Sequence, residues 1–165
     1  MLLYGLVGAV HAADVSVSSF FEAGLHPGVS LELTRPVWAH TNTRRRPATR
    51  QLAVGGRGGW VWHPGSQNLA FTGAELLYSK HKRWRWDAVL ALGAARSMPI
   101  GASVNVDGTR NLAGGSWHLM PSVGLGFGGG HDLRWHVRPT VYGLSRWNAG
   151  MSPWIAVEAG LSWSL

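Results

Sequence analysis

The chain has 165 residues, of which only 14% are charged, and it carries 23 Gly, 10 Trp and no Cys. Soluble domains average about 25% charged residues, so this composition indicates a surface that does not face water alone. The absence of Cys excludes disulfides, thiolate metal sites and Cys nucleophiles. No stretch approaches the roughly 20 consecutive apolar residues of a membrane-spanning helix. A closed β-barrel reconciles these observations, because its strands satisfy every backbone polar group between them.

The N-terminal residues resemble the end of a secretory signal. Residues 1–10 are apolar and include small residues, and Val10-His11-Ala12 resembles a small-residue cleavage site. We therefore predict a signal-peptide remnant over residues 1–12, export to the outer membrane, and a single barrel domain over residues 13–165. An ordinary buried N-terminal segment is the alternative.

After these residues, apolar and polar residues alternate with the period of two that is typical of strands with two different faces. Val29 to Thr34 places apolar residues at odd positions, whereas Arg50 to His63 places them at even positions. A weaker segment near the start brings the total to the even number expected of a bacterial barrel. The sequence thus predicts an all-β, antiparallel up-and-down transmembrane β-barrel of about eight strands. The predicted strands are 15–22, 29–34, 50–63, 68–79, 84–96, 117–127, 133–141 and 155–165.

Turn-forming residues separate these segments. The longest connection runs from Met98 to Ser116 and contains Asp107-Gly108. The other expected turns lie at Leu25 to Gly28, Arg44 to Thr49, His63 to Ser66, Gly128 to Asp132 and Trp147 to Gly150.

Many Trp residues lie on the apolar face near the ends of the predicted strands. Outer-membrane barrels place Trp and Tyr there, where the ring contacts both hydrocarbon and headgroups. The alternative is the core of a soluble β-sandwich, but the opposite face has too few Lys and Glu for a solvated surface. The predicted membrane-interface aromatics are Trp60, Trp62, Trp84, Trp86, Trp117, Trp135 and Trp163.

If the apolar face meets lipid, the polar face fills the lumen. An eight-stranded barrel is only wide enough for its own side chains, so a solute pore is not expected. An unpaired charge there would be costly, so we interpret the luminal charges as a structural network rather than a ligand site. Its predicted members are Glu32, Arg57, Glu75, Arg85, Asp87, Ser122, His136, Arg138 and Glu158.

Hairpin turns centred near residues 66, 80, 130 and 148 would align luminal residues in two rows. A slip of one residue would move these side chains to the other face, so the rows depend on register. The predicted rows are Arg57–Glu75–Arg85 and Ser122–Arg138–Glu158.

No complete catalytic, metal or cofactor motif is present. Ser122, His136 and Glu158 have the residue types of an acyl-transfer triad, but Ser and His are common filler in a polar lumen. The eight His show no spacing that suggests zinc, although His118 and His136 point inward on neighbouring predicted strands. We therefore predict no catalytic residue, no metal and no cofactor.

The net charge of +7 raises the question of a polyanionic partner. The basic residues cluster at predicted turns, chiefly Arg44 to Arg46 and Lys80 to Arg83, and they lack a nucleic-acid-binding motif. Anionic headgroups at a membrane surface explain the same charges. The predicted partner is outer-membrane lipid or lipopolysaccharide, without nucleic acid and with no protein partner specified.

The whole chain resembles small, uncharacterised outer-membrane β-barrel proteins of Gram-negative bacteria. This resemblance implies a barrel fold and no particular activity. The residues that carry it are His26-Pro27-Gly28, Ala74-Glu75-Leu76, Met120-Pro121-Ser122, Arg138-Pro139 and Ala156 to Leu161.

The last hairpin is also faintly similar to lipid A deacylase barrels. In that family a His-x-Ser-Asn motif on a late strand supplies the base and the nucleophile. Asn148-Ala149-Gly150 matches the end of the motif, but Ser145 and Trp147 stand where His and Ser are needed. The resemblance therefore does not extend to the catalytic pair.

These observations leave three functions in order of preference. The first is a non-enzymatic outer-membrane barrel that acts through its loops, chiefly Met98 to Ser116 and Ala39 to Thr49. The second is a lipid A-modifying barrel enzyme. The third is a soluble secreted β-barrel that binds an apolar ligand at its centre, which requires the Trp and Leu face to point inward.

Overall fold

The structure is a computed structural model that describes residues 13–22, 26–42, 48–63, 67–99, 103–104, 110–111, 115–146 and 150–165. Eight antiparallel strands close a barrel in the order β1-β2-β3-β4-β5-β8-β9-β10, with β10 paired to β1. This confirms the predicted all-β, up-and-down barrel, and the predicted signal-peptide remnant lies outside the described residues. The strands are β1 (Asp14–Glu22), β2 (His26–Asn42), β3 (Ala48–His63), β4 (Gln67–His81), β5 (Arg85–Pro99), β6 (Ser103–Val104), β7 (Arg110–Asn111), β8 (Trp117–Gly130), β9 (Leu133–Arg146) and β10 (Gly150–Ser164).

The connection between β5 and β8 contains the small β6–β7 hairpin, which pairs only with itself among the described strands. No helix in the described part of the chain is long and apolar enough to cross a bilayer. The turn predicted at Leu25 to Gly28 is wrong in part, because β2 begins at His26 and Pro27 already pairs with Phe21. A proline at the start of a strand leaves few ladder hydrogen bonds unmade, so the pairing tolerates it.

Along most of the strands, the alternating polar and apolar residues face the lumen and the outer surface of the barrel, respectively. Along β1, Ser18 and Phe20 are buried in the lumen, whereas Val17 before them and Phe21 after them are 47% and 49% exposed. Most barrel strands contain 14 to 17 residues. At about 3.3 Å per residue and a tilt of about 40°, 15 residues span roughly 38 Å, which exceeds the apolar band of about 25 Å of an outer-membrane barrel.

We call the end of the barrel formed by Glu22, His26, His63 and Trp117 the upper end, and the end at which β1 begins the lower end. The upper half of the lumen holds an apolar cluster, against which Leu144 and Trp154 pack. The buried members of this apolar cluster are Phe20, Val61, Leu69, Phe71, Ala95, Met120, Tyr142 and Ala156.

The β2–β3 hairpin extends past the lower end. Asp14, the first residue of β1, pairs with Thr34, so the rest of β2 pairs with β3 alone. A β-bulge between Pro36 and Trp38 interrupts the register there, and Trp38 is 46% exposed. The predicted Arg44 to Arg46 cluster at the tip of this hairpin lies outside the described residues.

Candidate functional site

A chain of ion pairs crosses the middle of the lumen. The guanidinium of Arg57 on β3 donates to the carboxylate of Glu158 on β10. Arg138 on β9 donates to Oε2 of Glu32 on β2 over 2.9 Å and lies 3.6 Å from Oε2 of Glu158. All four residues are at most 7% exposed. We call Glu32, Arg57, Arg138 and Glu158 the central network; its Arg57–Glu158 and Arg138–Glu32 pairs each join strands that are not neighbours in the barrel wall.

The inner face of β8 is lined by glycines beside the central network. A Cβ at Gly124 would lie 3.1 Å from Cδ of Arg138, and a Cβ at Gly126 would lie 3.1 Å from Cβ of Asp87. Glycine therefore provides the space that the long Arg138 side chain occupies. The guanidinium of Arg57 lies 5.4 Å from the ring centroid of Phe71. Arg57 therefore contacts both Glu158 in the central network and an aromatic ring of the apolar cluster.

The structure brings some predicted luminal residues together and separates others. Arg138 pairs with Glu158 between β9 and β10, as the turn near residue 148 predicts. Arg57 pairs with Gly73 instead of Glu75, and Glu75 pairs with Ala91 instead of Arg85. The first predicted row is therefore wrong.

The second predicted row is broken at its first member. Ser122 pairs with Tyr142, not with Arg138. Ser122 is buried in the lumen, but it is not beside His136, which pairs with Gly128. The imagined Ser122–His136–Glu158 triad is therefore not assembled by this register.

Two further charged contacts lie towards the lower end. Nε of Arg85 donates to Oδ1 of Asp87 over 2.7 Å, and Arg134 contacts Asp14 at 2.7 Å. Glu75 is buried near Glu32, Arg57 and Arg138 and belongs to none of the ion pairs among the described residues.

His136 meets a different serine from the one expected. Its Nε2 lies 3.0 Å from the hydroxyl oxygen of Ser18, and both residues are buried. The contact passes over Gly160, which pairs with Ser18 on one side and with His136 on the other. Because the pair is enclosed in the lumen, we interpret it as a structural hydrogen bond.

A second serine–histidine pair lies at the upper end. Nδ1 of His118 lies 2.6 Å from the carbonyl oxygen of Ser145, so a protonated Nδ1 leaves Nε2 as an acceptor 3.4 Å from Oγ of Ser97. The amide of Ser116 donates to the same Oγ over 3.1 Å. His118 and His136 lie at opposite ends of the lumen and do not meet, so they do not form a shared metal site.

Glu22, His26 and His63 form a polar cluster at the upper end that the sequence analysis did not identify. Nε2 of His63 lies 3.0 Å from Oε2 of Glu22, and the two imidazole rings are 4.3 Å apart at their centroids. The sequence signal for part of the cluster is the spacing of Glu22 and His26, which lie opposite each other because β1 ends at Glu22 and β2 begins at His26.

The predicted interface aromatics lie on the outer surface. Trp62 and Trp117 are exposed near the upper end, and Trp60 beside them is half-buried. Near the lower end Trp163 is exposed and Trp84, Trp86 and Trp135 pack around Phe127, with ring centroids 4.9 to 5.7 Å from it.

Most exposed side chains on the outside of the barrel wall are apolar, although Thr72 and Arg96 are also exposed there. The most exposed aliphatic side chains on the barrel wall include Leu90, Leu92, Leu125 and Ile155 at 59% to 66% exposure. The Trp and Leu face therefore points outward, and the interpretation as a soluble barrel with an apolar central ligand is wrong.

Of the deacylase-like positions, Ser145 is described and Trp147 and Asn148 are not. The side-chain hydroxyl of Ser145 accepts a hydrogen bond from the amide of Leu119 over 2.7 Å, so it serves to hold β9 against β8.

No protein-family profile and no curated protein matches the chain. Among solved structures, it is similar to the crystal structure of the outer membrane enzyme PagL, with 12% sequence identity and a TM-score of 0.57 over 92% of this chain and 99% of that chain. It is also similar to the solution NMR structure of the de novo designed TMB2.3, with 17% identity and a TM-score of 0.45 over 97% of this chain and 98% of that chain. The first likeness shows that the chain shares the fold of an outer-membrane β-barrel.

Proposed function

We propose that the chain is a non-enzymatic outer-membrane barrel that its apolar exterior holds in lipid and that its filled lumen closes to solutes. The observation that carries this proposal is the separation of side chains by face. Large hydrophobic residues are exposed on the outside, while charged residues are buried and paired inside. A water-soluble protein would have the reverse arrangement, since charges rarely enter a protein interior without partners.

In this proposal the lipid partners are outer-membrane lipid or lipopolysaccharide, and the chain reaches the membrane through a cleaved signal. The upper end carries the long connection between β5 and β8. Outer-membrane barrels have short periplasmic turns and longer extracellular loops, so we orient the upper end towards the exterior. The interaction surface is then this connection, with the β2–β3 extension on the periplasmic side.

Two leucines of nearly equal exposure provide the test. Leu92 at the middle of β5 is 59% exposed, and Leu133 at the lower start of β9 is 57% exposed. In a bilayer, Leu92→Arg lowers the free energy of unfolding by about 2–4 kcal/mol and Leu133→Arg by about 0–1 kcal/mol, because the cost of a charge depends on depth. On a water-exposed surface both substitutions would change it by less than about 0.5 kcal/mol.

The measurement is urea unfolding of the barrel refolded into phospholipid vesicles, followed by Trp fluorescence. Gel mobility of unheated and boiled samples reports whether each variant has closed its barrel. Equal effects of the two substitutions, or a monodisperse wild-type protein in buffer without detergent, would contradict the proposal.

A second candidate, a lipid-modifying enzyme, is favoured by one observation, the Ser97–His118 pair. The hydroxyl faces an imidazole whose other nitrogen is held by a backbone carbonyl, which is the arrangement of a nucleophile, a base and an orienting group. The pair lies at the upper end of the barrel, where Ser97 is buried and His118 is half-buried.

Labelling with a serine-reactive fluorophosphonate distinguishes the two candidates. An enzyme is labelled, and Ser97→Ala abolishes the label while Ser122→Ala, which removes another buried luminal hydroxyl, retains it. Absence of labelling in the folded wild-type barrel leaves the non-enzymatic function.

A further inference from the structure

Three metal-ligating side chains converge at the upper end of the lumen. Glu22 is the last residue of β1 and pairs with His26, the first residue of β2. His63 is the last residue of β3, two residues beyond Val61, which pairs with Gly28. One donor atom from each of Glu22, His26 and His63 lies within 4.8 Å of the other two. The three ligands thus come from consecutive strands whose pairing fixes their backbones.

The donor set matches one kind of cation. Two imidazoles and one carboxylate bind Zn²⁺ at about 2.0–2.2 Å, which places the ligand atoms roughly 3.3 Å from one another in a tetrahedron. Nε2 of His63 and Oε2 of Glu22 are already 3.0 Å apart. The donor atom of His26 lies within 4.8 Å of the other two, so it has to approach them by at most about 1.5 Å to complete the triangle.

His26 supplies the observation that points to a ligand. Its Nδ1 is buried and makes no hydrogen bond to any other residue that the structure describes. Buried polar atoms usually have a hydrogen-bond partner or a metal ion, so an unpartnered buried nitrogen indicates a binding position. A Glu22–His63 hydrogen bond with the His26 ring packed on His63 accounts for the three side chains, but it leaves Nδ1 of His26 without a hydrogen-bond partner among the described residues.

We propose that Glu22, His26 and His63 bind one divalent transition-metal ion, with Zn²⁺ as the best match and the fourth coordination position open towards the rim. Glu22 is only 1% exposed, so it forms the inner side of the site, while the half-buried His26 forms the entrance. The bound ion ties β1, β2 and β3 together at the upper end, whichever function the barrel has.

The test uses the barrel produced without a polyhistidine tag, folded in detergent micelles and stripped with a chelator. Dialysis against Zn²⁺ followed by elemental analysis gives one ion per chain for the wild type. His26→Gln and Glu22→Gln weaken binding by more than the about 10- to 100-fold that loss of a supporting residue causes. His131→Gln, at the exposed turn between β8 and β9, is the matched control and retains the wild-type affinity.

The unfolding temperature provides a second readout. A ligand that binds only the folded state stabilises it, so Zn²⁺ raises the unfolding temperature of the wild type and of His131→Gln but not of His26→Gln. His26→Gln suits this test because Gln keeps a polar side chain at a half-buried position. If the wild type binds no Zn²⁺, or if folded His26→Gln binds it as tightly as the wild type, the proposal is overturned.

Discussion

The upper and middle parts of the lumen are filled by opposite kinds of side chain. The apolar cluster is held by packing, for example by an edge-to-face contact of Phe20 and Phe71 with ring centroids 5.7 Å apart. The central network is held by Arg57 and Arg138, each of which contacts a buried carboxylate. Both solutions fill a narrow barrel, but they respond differently to substitution. Packing loses energy in proportion to the volume removed, whereas a charge network fails when one partner is lost.

The largest expected effect is therefore the loss of a carboxylate from the central network. Glu158 contacts both Arg57 and Arg138 and is 2% exposed. Glu158→Gln leaves two buried guanidinium groups with one carboxylate fewer, and we expect the free energy of unfolding to fall by about 4 kcal/mol. Urea unfolding in detergent micelles, monitored by Trp fluorescence, measures the change.

Glu158→Gln nearly preserves shape, so its effect reports charge rather than packing. If the loss is below about 1 kcal/mol, the network is no more important than exposed ion pairs are, and the contrast with the apolar cluster disappears.

The apolar cluster should respond by volume. Phe71 is 6% exposed and contacts Phe20 and the Arg57 guanidinium. We expect Phe71→Ala to lower the free energy of unfolding by about 3 kcal/mol and Phe71→Leu to lower it by about 1 kcal/mol, because Leu fills most of the space. Parallel denaturation curves test this grading; equal effects of Ala and Leu would show that the cluster does not act through packing.

The apolar cluster also marks the limit of the sequence analysis. The outward faces were predicted correctly, because apolar and polar residues alternate regularly along most of the predicted strands. The lumen accepts either packed apolar or paired polar side chains. On β4, Leu69 and Phe71 point inward, so apolar residues occupy both faces of the strand there, and the sequence pattern did not reveal the apolar upper half of the lumen.

Register was predictable where the turn was short and correctly centred. The turn near residue 148 gave the observed pairing of Arg138 with Glu158. Between β8 and β9 the turn is His131-Asp132, and the preceding Gly130 has φ of 109°. Centring that turn near Gly130 instead moves every pair, which is why Ser122 was predicted beside Arg138.

A third expected effect concerns the glycine that separates Ser18 and His136. A Cβ on Gly160 would lie 2.2 Å from Oγ of Ser18 and 2.5 Å from the carbonyl oxygen of Val17. The backbone oxygen cannot rotate away, so we expect Gly160→Ala to lower the free energy of unfolding by about 2 kcal/mol. Ala at Gly56, whose Cβ would meet only one atom at 3.5 Å, is the matched control with little change. Equal stability of the two variants would contradict the close packing around the Ser18–His136 hydrogen bond.

The smallest expected effect on stability comes from Glu75, which lies near the central network but, unlike Glu158, forms no ion pair with an arginine among the described residues. Glu75 is 5% exposed and lies near Glu32, but no guanidinium forms an ion pair with it among the described residues. Glu75→Gln replaces a buried carboxyl group near Glu32, Arg57 and Arg138 with a neutral amide of nearly the same shape. We expect the free energy of unfolding to rise by up to about 1 kcal/mol, opposite in sign to Glu158→Gln, because burying a carboxyl group without an ion-pair partner opposes folding. A loss comparable to that of Glu158→Gln, measured under the same conditions, would place Glu75 inside the central network and extend the charged part of the lumen across β4.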